Sequence, residues 1–448
     1  MFSPKRFADY SLRLHTISYT LGLDARKVTL PQEDYPRLTC VTPQQPPQVK
    51  PLTPPSDKML GLEWIPRIPA EIAARLKNEL RTGGCAAVIC NTITRTQEVY
   101  QAVKDSEPGC EVILFHARFP YLWRKEIEVD VLRKFGPRRD PDHENPERPH
   151  KAIVIATQVI EQSLDLDFDA MITDLAPVDL LLQRAGRLHR HDYREHPLPY
   201  RLLIAEPELR DDLPAFDHTD PYAGKEVYVL RRTYFALRKR SQPMVALPGD
   251  TSELIEQVYG DAPLGNLTAA EQAALDEDKK KMQDAHESAK KSARSHLIYP
   301  PSDADLLRQS NQELEEDNPG VHQAFQALTR DGGPGLSVIC LHQTGHGLVL
   351  DPQKEGSVID LHAPLTSRQI TLLLQGAVNI RHYDLIGHFL TYEQDELKSV
   401  LSAWKKVPAL RYHRLAIFAQ GVYDKAPTHQ LRLTREFGLQ IIPRKEVA

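Results

Sequence analysis

Cysteine is scarce and never paired. Cys40, Cys85, Cys90, Cys110 and Cys340 are scattered without a CxxC, which argues against a disulfide framework and against a cysteine zinc motif, and suits thiols kept reduced. No apolar run approaches the roughly 20 residues of a membrane span. After Met1 come Phe2, Ser3, Pro4, Lys5 and Arg6 with no apolar signal region, so neither a membrane partner nor export is expected and the chain reads as cytoplasmic. An excess of positive charge is missing too. The net charge is -5, whereas a dedicated duplex binder usually carries a strong surplus of Lys and Arg, so any nucleic-acid surface must be local.

What is present is ordinary globular material: 41% hydrophobic and 26% charged residues over 448 positions, a length that predicts two or three domains rather than one. Residues 1–56 read as an N-terminal extension, with one helix possible between Phe2 and Leu30 and a linker at VTPQQPPQVKPLTPPS, whose proline and glutamine favour extended backbone. Over 57–210 short apolar strands alternate with helical stretches, the pattern of parallel βαβ units. The expected fold class is therefore α/β, a RecA-like parallel sheet with helices on both faces. Residues 211–299 read as a helical linker region ending in a charge-rich, solvated helix over Leu267–Arg294, and 300–448 as a small α+β accessory domain opening with a turn at Asp331–Gly335.

The strongest chemical signal is Gln183-Arg184-Ala185-Gly186-Arg187-Leu188-His189-Arg190, a Q-x-x-G-R-x-x-R spacing. Arg187 and Arg190, three residues apart, are expected on one helical face, where two planar guanidiniums can reach a phosphate together. Such donors neutralise charge spreading over a phosphoryl group in transfer. Gly186 would allow close backbone approach, and Gln183 would couple nucleotide state to a strand-binding surface. The plainer alternative is a surface Arg-rich helix with ordinary ion pairs.

Upstream, ATQVIEQSLD follows the apolar strand Ile153-Val154-Ile155. Thr157, with Gln158 beside it, is placed at a strand end to offer a hydroxyl and backbone N–H to a strand phosphate. Asp165 is positioned to accept from a ribose or from a finger arginine. Asp165, Asp167 and Asp169 could instead be turn residues or a cation site, although no further oxygen ligands converge nearby. Arg124, Lys125, Arg133, Lys134, Arg138, Arg139 and Arg148 form a basic stretch that either tracks nucleic acid or is a solvated face.

Taken together, ATQVIEQSLDLDFD and DLAPVDLLLQRAGRLHRH resemble motifs V and VI of the helicase-nuclease of type I CRISPR systems, a superfamily 2 helicase. Asn91-Thr92 with Arg95 and Gln97 resembles the family's motif IV, and FHARF at 115–119 its next strand-end motif. The resemblance implies a second RecA-like helicase lobe followed by the family's C-terminal domain. It further implies that Asn91, Thr92, His116, Arg118, Thr157 and Gln158 grip the backbone of single-stranded DNA.

A complete motor also needs a phosphate loop ending in Gly-Lys-Ser/Thr and an acidic magnesium site. Neither occurs: Gly224-Lys225 is followed by Glu226, and Asp276-Glu277-Asp278 sits in the charged helix. The family's HD nuclease is missing as well. His191-Asp192 lacks partner ligands, and His342/His346, with Gly345 between them, read as core or surface histidines rather than a zinc pair. The expectation is a split subunit or truncated product, inactive alone, that shares ATP with a first-lobe helicase and HD nuclease polypeptide holding the Mg2+, and serves a CRISPR surveillance complex. The alternatives are a non-catalytic docking or regulatory module and a fragment of an RNA helicase.

Overall fold

A computed structural model describes residues 37–40, 48–52, 57–137, 145–161, 164–216, 220–223, 226–260, 262–295, 335–354, 358–391 and 397–444. The expected helix within Phe2–Leu30, Arg138 and Arg139, Gly224-Lys225 and most of the Asp331–Gly335 turn lie outside them. At the start, β1 (Arg37–Cys40) pairs antiparallel with β2 (Gln48–Pro51), so part of the stretch expected as a plain linker is a strand. Its Gln48, Val49 and Lys50 sit opposite Cys40, Thr39 and Leu38.

The first sheet is built from β3 (Lys58–Ile65), α1 (Pro69–Glu79), β4 (Gly84–Ile89), α2 (Ile93–Asp105), β5 (Glu111–Phe115), α3 (Tyr121–Phe135), β6 (Lys151–Ala156), β7 (Ala170–Asp174), α4 (Val178–Ala185) and β8 (Arg201–Ala205). Every residue of β4 is buried, the signature of a central parallel strand covered on both faces. Local chemistry sets the helix starts: Pro69 opens α1, and Thr92 caps α2 by accepting from the Arg95 N–H at 3.2 Å.

Beyond β8 come the short strands β9 (Leu209–Arg210) and β10 (Leu213–Pro214), then α5 (Val227–Arg238), β11 (Met244–Leu247), α6 (Thr251–Tyr259) and α7 (Ala269–Ser295). The full strand order is β11-β3-β8-β7-β4-β6-β5. All neighbours are parallel except β11, which runs antiparallel to β3 along the edge. The 211–299 stretch, expected as a linker, thus belongs in good part to this body. Val229, Phe235, Leu254 and Val258 of α5 and α6 are buried in the same core as Val154 and Met171, because the amphipathic faces of both helices are needed to cover the sheet. Only α7 is largely solvated, and even it buries Leu275 and pairs Asp278 with Arg231 at 2.6 Å.

The second sheet is mixed. It comprises β12 (Leu336–Thr344), β13 (Gly347–Val349), β14 (Ala377–Ile380), β15 (His413–Ala419), β16 (Val422–Tyr423), β17 (His429–Thr434) and β18 (Gly438–Pro443), with α8 (Ser367–Gln375), α9 (Tyr383–Thr391) and α10 (Lys398–Lys405) around it. Its strands β12 and β15 are parallel and the remaining pairs antiparallel.

The two sheets share one apolar core. Ile72, Val88, Val99 and Ile155 of the first pack in a single cluster with Val338, Phe418, Leu431 and Leu439 of the second. Polar contacts converge on the β17–β18 turn: the Gln97 amide donates to Phe437 O at 2.8 Å, the Leu439 N–H to Arg118 O at 2.8 Å, and Arg435 bonds Glu126 at 2.6 Å while its guanidinium lies 4.8 Å from the Trp123 ring. Gly438 makes this approach possible. Its φ is +63°, and a Cβ there would meet Arg118 O at 2.9 Å and His116 Cε1 at 3.0 Å. Gly438→Val should therefore cost roughly 2 kcal/mol or more, from the left-handed backbone and the clash together. The check is urea denaturation beside Gly109→Ala, which shares a positive φ but has open space; equal losses would remove the clash from the account.

Candidate active site at the strand ends

Four elements meet at the carboxyl ends of β4, β6 and β7. The loop after β6 turns through a short 3-10 segment, Gln158–Ile160, and delivers Glu161 to the interior. There it receives Arg184 of α4, whose side chain is fully buried. The Arg184 guanidinium donates to Glu161 Oε1 at 2.7 Å, to Thr173 Oγ1 at 2.6 Å, to Asp174 O at 3.0 Å and to Asn91 Oδ1 at 3.4 Å. A buried charge is tolerable only when paired and hydrogen-bonded in this manner. Asp174 is in turn clamped by Arg95, whose Nε lies 2.8 and 2.9 Å from its two oxygens.

Asn91, expected to grip a nucleic-acid backbone, is buried in this network, and its amide donates to Leu175 O at 2.7 Å and to Asp220 Oδ2 at 2.8 Å. Polar groups at a crowded strand end satisfy one another before they can reach a ligand. Thr92 accepts the Arg95 N–H as the α2 cap and stays half-exposed. Thr157 is buried, with its N–H donating to Phe115 O at 3.2 Å. Gln158 is half-buried and ties the loop to Asn91 O at 3.1 Å.

His116 lies deeper still. It is fully buried beneath the β17–β18 turn, 3.1 Å from Phe437 O, while its Nδ1 accepts from the Arg118 N–H at 3.1 Å. Burial first, then the Arg118 charge, pushes its pKa down to about 3. The ring therefore stays neutral in the folded protein while the unfolded chain takes up a proton below about 6.5. The stability this residue contributes is complete above that value and is lost as pH falls towards 3. His116→Gln should flatten the decline in melting temperature between pH 6.5 and 4; an unchanged slope would exclude His116 as its source. Arg118 is partly covered by the same turn and keeps its backbone carbonyl on Leu439.

Arg187 and Arg190 come together, though not on one helical face. α4 stops at Ala185, and the chain leaves it to pair with Phe168: the Phe168 N–H donates to Arg187 O at 2.9 Å and the His189 N–H to Phe168 O at 3.0 Å. His189 adopts φ +45°, ending any helical continuation. This pairing turns both arginines towards the 161–165 loop. Arg187 donates from Nη2 to Glu161 O at 2.8 Å, and its buried Nε has no partner among the described residues. Arg190 donates from Nε to Asp165 Oδ1 at 2.5 Å and from Nη1 to Gly186 O at 3.2 Å. Burial and the neighbouring Arg190 charge lower the Arg187 pKa. At Asp165 partial burial raises the carboxyl pKa, but the hydrogen bond and charge of Arg190 outweigh it and the net shift is downward. Gln183 is half-buried and Gly186 exposed on the same rim.

The other acids are structural. Asp167 takes Arg194 at 2.5 Å and the Arg190 N–H at 2.8 Å, while Asp169 takes Arg194 at 2.7 Å, Arg148 at 3.1 Å and the Cys85 N–H at 2.8 Å. Arginines thus already pair with all three carboxylates, Arg190 with Asp165, Arg194 with Asp167, and Arg148 and Arg194 with Asp169. The basic stretch is likewise spoken for in part: Arg133 pairs with Asp130 and Glu147, and Lys134 with Asp130 and Glu111. Sequence reasoning did not distinguish Arg184 from its neighbours or suggest Asp220 at all. The first was visible only as one more arginine, and the second has no local signal.

The comparisons agree with this placement of elements. The family described as CRISPR-associated nuclease/helicase Cas3, C-terminal, matches residues 82–193, and the Cas3 C-terminal domain matches residues 330–439. A CRISPR-associated endonuclease/helicase Cas3 of Thermus thermophilus is 30% identical over 464 residues, 91% of this chain and 47% of that protein. A CRISPR-associated nuclease/helicase Cas3 of Streptococcus thermophilus is 36% identical over 201 residues, covering 44% of this chain and 20% of its own length. Among solved structures, one described as a CRISPR-associated protein superposes with TM-score 0.80 at 32% identity, over 97% of this chain and 47% of its own. T. fusca Cas3 with AMPPNP follows at 0.70 and 26%, over 91% and 46%. A CRISPR RNA-guided surveillance complex, pre-nicking, matches at 0.62 and 25%, over 88% and 45%. The chain spans under half the length of these relatives. No helix among the described residues is long and apolar enough to cross a membrane.

Proposed function

We propose, from the premise that this chain belongs to the Cas3 family and carries its C-terminal helicase part, that it is the second lobe of an ATP-driven single-stranded DNA translocase. Its partners in this reading are a first lobe bearing the phosphate loop and a CRISPR surveillance complex. The observation that carries the proposal is the pair Arg187 and Arg190 on the rim of the 161–165 loop. Arg190 rests on Asp165, whose side chain is 49% exposed. A half-exposed pair of this kind is worth only about 0–1 kcal/mol, so the guanidinium can leave it for a phosphate at little cost. Arg187 has an unspent Nε donor and a depressed pKa, which suits a group awaiting an anion.

ATP, with magnesium held on the first lobe, would supply the phosphoryl group that is transferred to water. Arg187 and Arg190 would hold its oxygens and neutralise charge as the bond breaks. Glu161 links the two halves of the site: its side chain is locked to Arg184 and its carbonyl to Arg187, so movement at the nucleotide is carried to the β6 strand end. Thr92, Gln158 and Arg118, which keep some exposure, remain the proposed contacts to the DNA backbone. Asn91, His116 and Thr157 support them from beneath.

The related surveillance-complex structure supports that complex as a partner, and the T. fusca Cas3–AMPPNP structure supports an adenine nucleotide as a ligand. The test is reconstitution. This chain mixed with a first-lobe polypeptide should hydrolyse ATP faster on adding single-stranded DNA than either component does. Robust turnover by this chain without a first lobe would overturn the reading.

A further inference from the structure

A second cluster of chemistry-bearing side chains lies in the C-terminal domain and takes no part in the site above. His382 precedes α9, Asp384 lies in that helix's first turn and His429 opens β17. One ligand atom from each of the three lies within 4.8 Å of the others, and the two imidazole centroids are 4.3 Å apart. Ligands around a tetrahedral ion at 2.0–2.1 Å stand about 3.3 Å from one another, so a shift of roughly an ångström in the side chains would close the set.

Two further features point to an ion. The His382 Nδ1 is buried and has no hydrogen-bond partner among the described residues, a state in which a ligand would satisfy it. His429 is held at Nδ1 by the Thr428 hydroxyl at 2.8 Å, the orientation that a supporting residue imposes on a metal-binding histidine, and its other nitrogen is left for the ion. Asp384 is exposed, so the open side of the set faces solvent.

We propose that His382, Asp384 and His429 bind one transition-metal ion of the zinc class, completed by solvent. Two imidazoles and one carboxylate select zinc, cobalt or nickel over magnesium and calcium, which prefer an all-oxygen shell. The Arg118 charge works against a nearby cation, and the Asp384 carboxylate offsets it. The bound ion would staple the start of α9 to β17, one turn before His388 of the same helix meets the Tyr423 hydroxyl of β16 at 2.9 Å.

The probe is cobalt(II) added to the full chain after chelator treatment, with no nucleotide or DNA present, so the outcome is independent of the helicase reading. The wild-type protein should bind one equivalent with the visible absorption of a low-coordinate cobalt site, and zinc should displace it while excess magnesium should not. His429→Ala and His382→Ala should weaken binding by more than roughly a hundredfold, beyond what loss of a supporting residue alone costs. Asp384→Asn changes an exposed side chain and keeps the test alive if the histidine variants fold poorly; it too should weaken binding, whereas His346→Ala on the distant β12–β13 turn should not. No cobalt uptake by the wild type, or uptake by Asp384→Asn and His429→Ala as tight as the wild type's, overturns the site.

Discussion

Arg190→Ala should reduce DNA-stimulated ATP turnover of the reconstituted motor by roughly a thousandfold or more, the scale expected when an arginine that stabilises a transferring phosphoryl group is removed. Folding should hardly change. The side chain's visible bonds are the Asp165 pair and the Gly186 carbonyl, a partly exposed set worth at most about 1 kcal/mol. The separation between a large kinetic loss and a small shift in melting temperature is what distinguishes a catalytic arginine from a structural one. Arg190→Lys should rescue little, because an ammonium cannot present two parallel donors. Asp165→Asn is the companion variant: it removes the resting partner's charge and should leave turnover far closer to wild type than Arg190→Ala does. Turnover within a few-fold of wild type in Arg190→Ala would end the assignment of that residue.

The opposite profile is expected for Arg184. Replacing it with Met leaves buried Glu161 without the cation its carboxylate bonds, with only the Arg187 charge nearby, and strips donors from Thr173 and the Asp174 carbonyl. Breaking a buried pair from one side costs roughly 3–5 kcal/mol, which for a chain of this size corresponds to a fall in melting temperature on the order of 10 °C. Glu161 already has a raised pKa, from burial that its Arg184 pairing only partly offsets, and in Arg184→Met it should protonate rather than remain a lone buried charge. The double variant Arg184→Met with Glu161→Leu should regain a large part of the loss. A single variant that melts within a degree of the parent would mean that the buried guanidinium does not hold the strand ends together.

These paired expectations show where reading by spacing stops. Gln183 to Arg190 contains three arginines, and their spacing selects Arg187 and Arg190 as phosphate donors. Nothing in that string says that Arg184 faces inward, since the answer depends on Glu161 and Thr173 arriving from two other elements. The shared helical face was the wrong geometry for a similar reason. Phe168 competes for the backbone of Arg187 and His189, and a strand-like pairing ends the helix at Ala185. Asn91 and His116 were legible as strand-end polar residues, a position that serves equally for gripping a ligand or for joining parts of the fold.

The amino-acid sequence by itself determined the alternation of β4 to β8 with their helices, the placement of the motifs at strand ends and the family, because periodicity, capping residues and motif spacing are local properties carried by neighbours along the chain. Tertiary structure alone decided which polar groups remain available. Burial of Asn91 by Asp220, of His116 by Phe437 and Gly438, and the meeting of His382 with His429 bring together residues far apart in the chain, and the desolvation cost of each polar group is set by whatever the fold happens to lay over it.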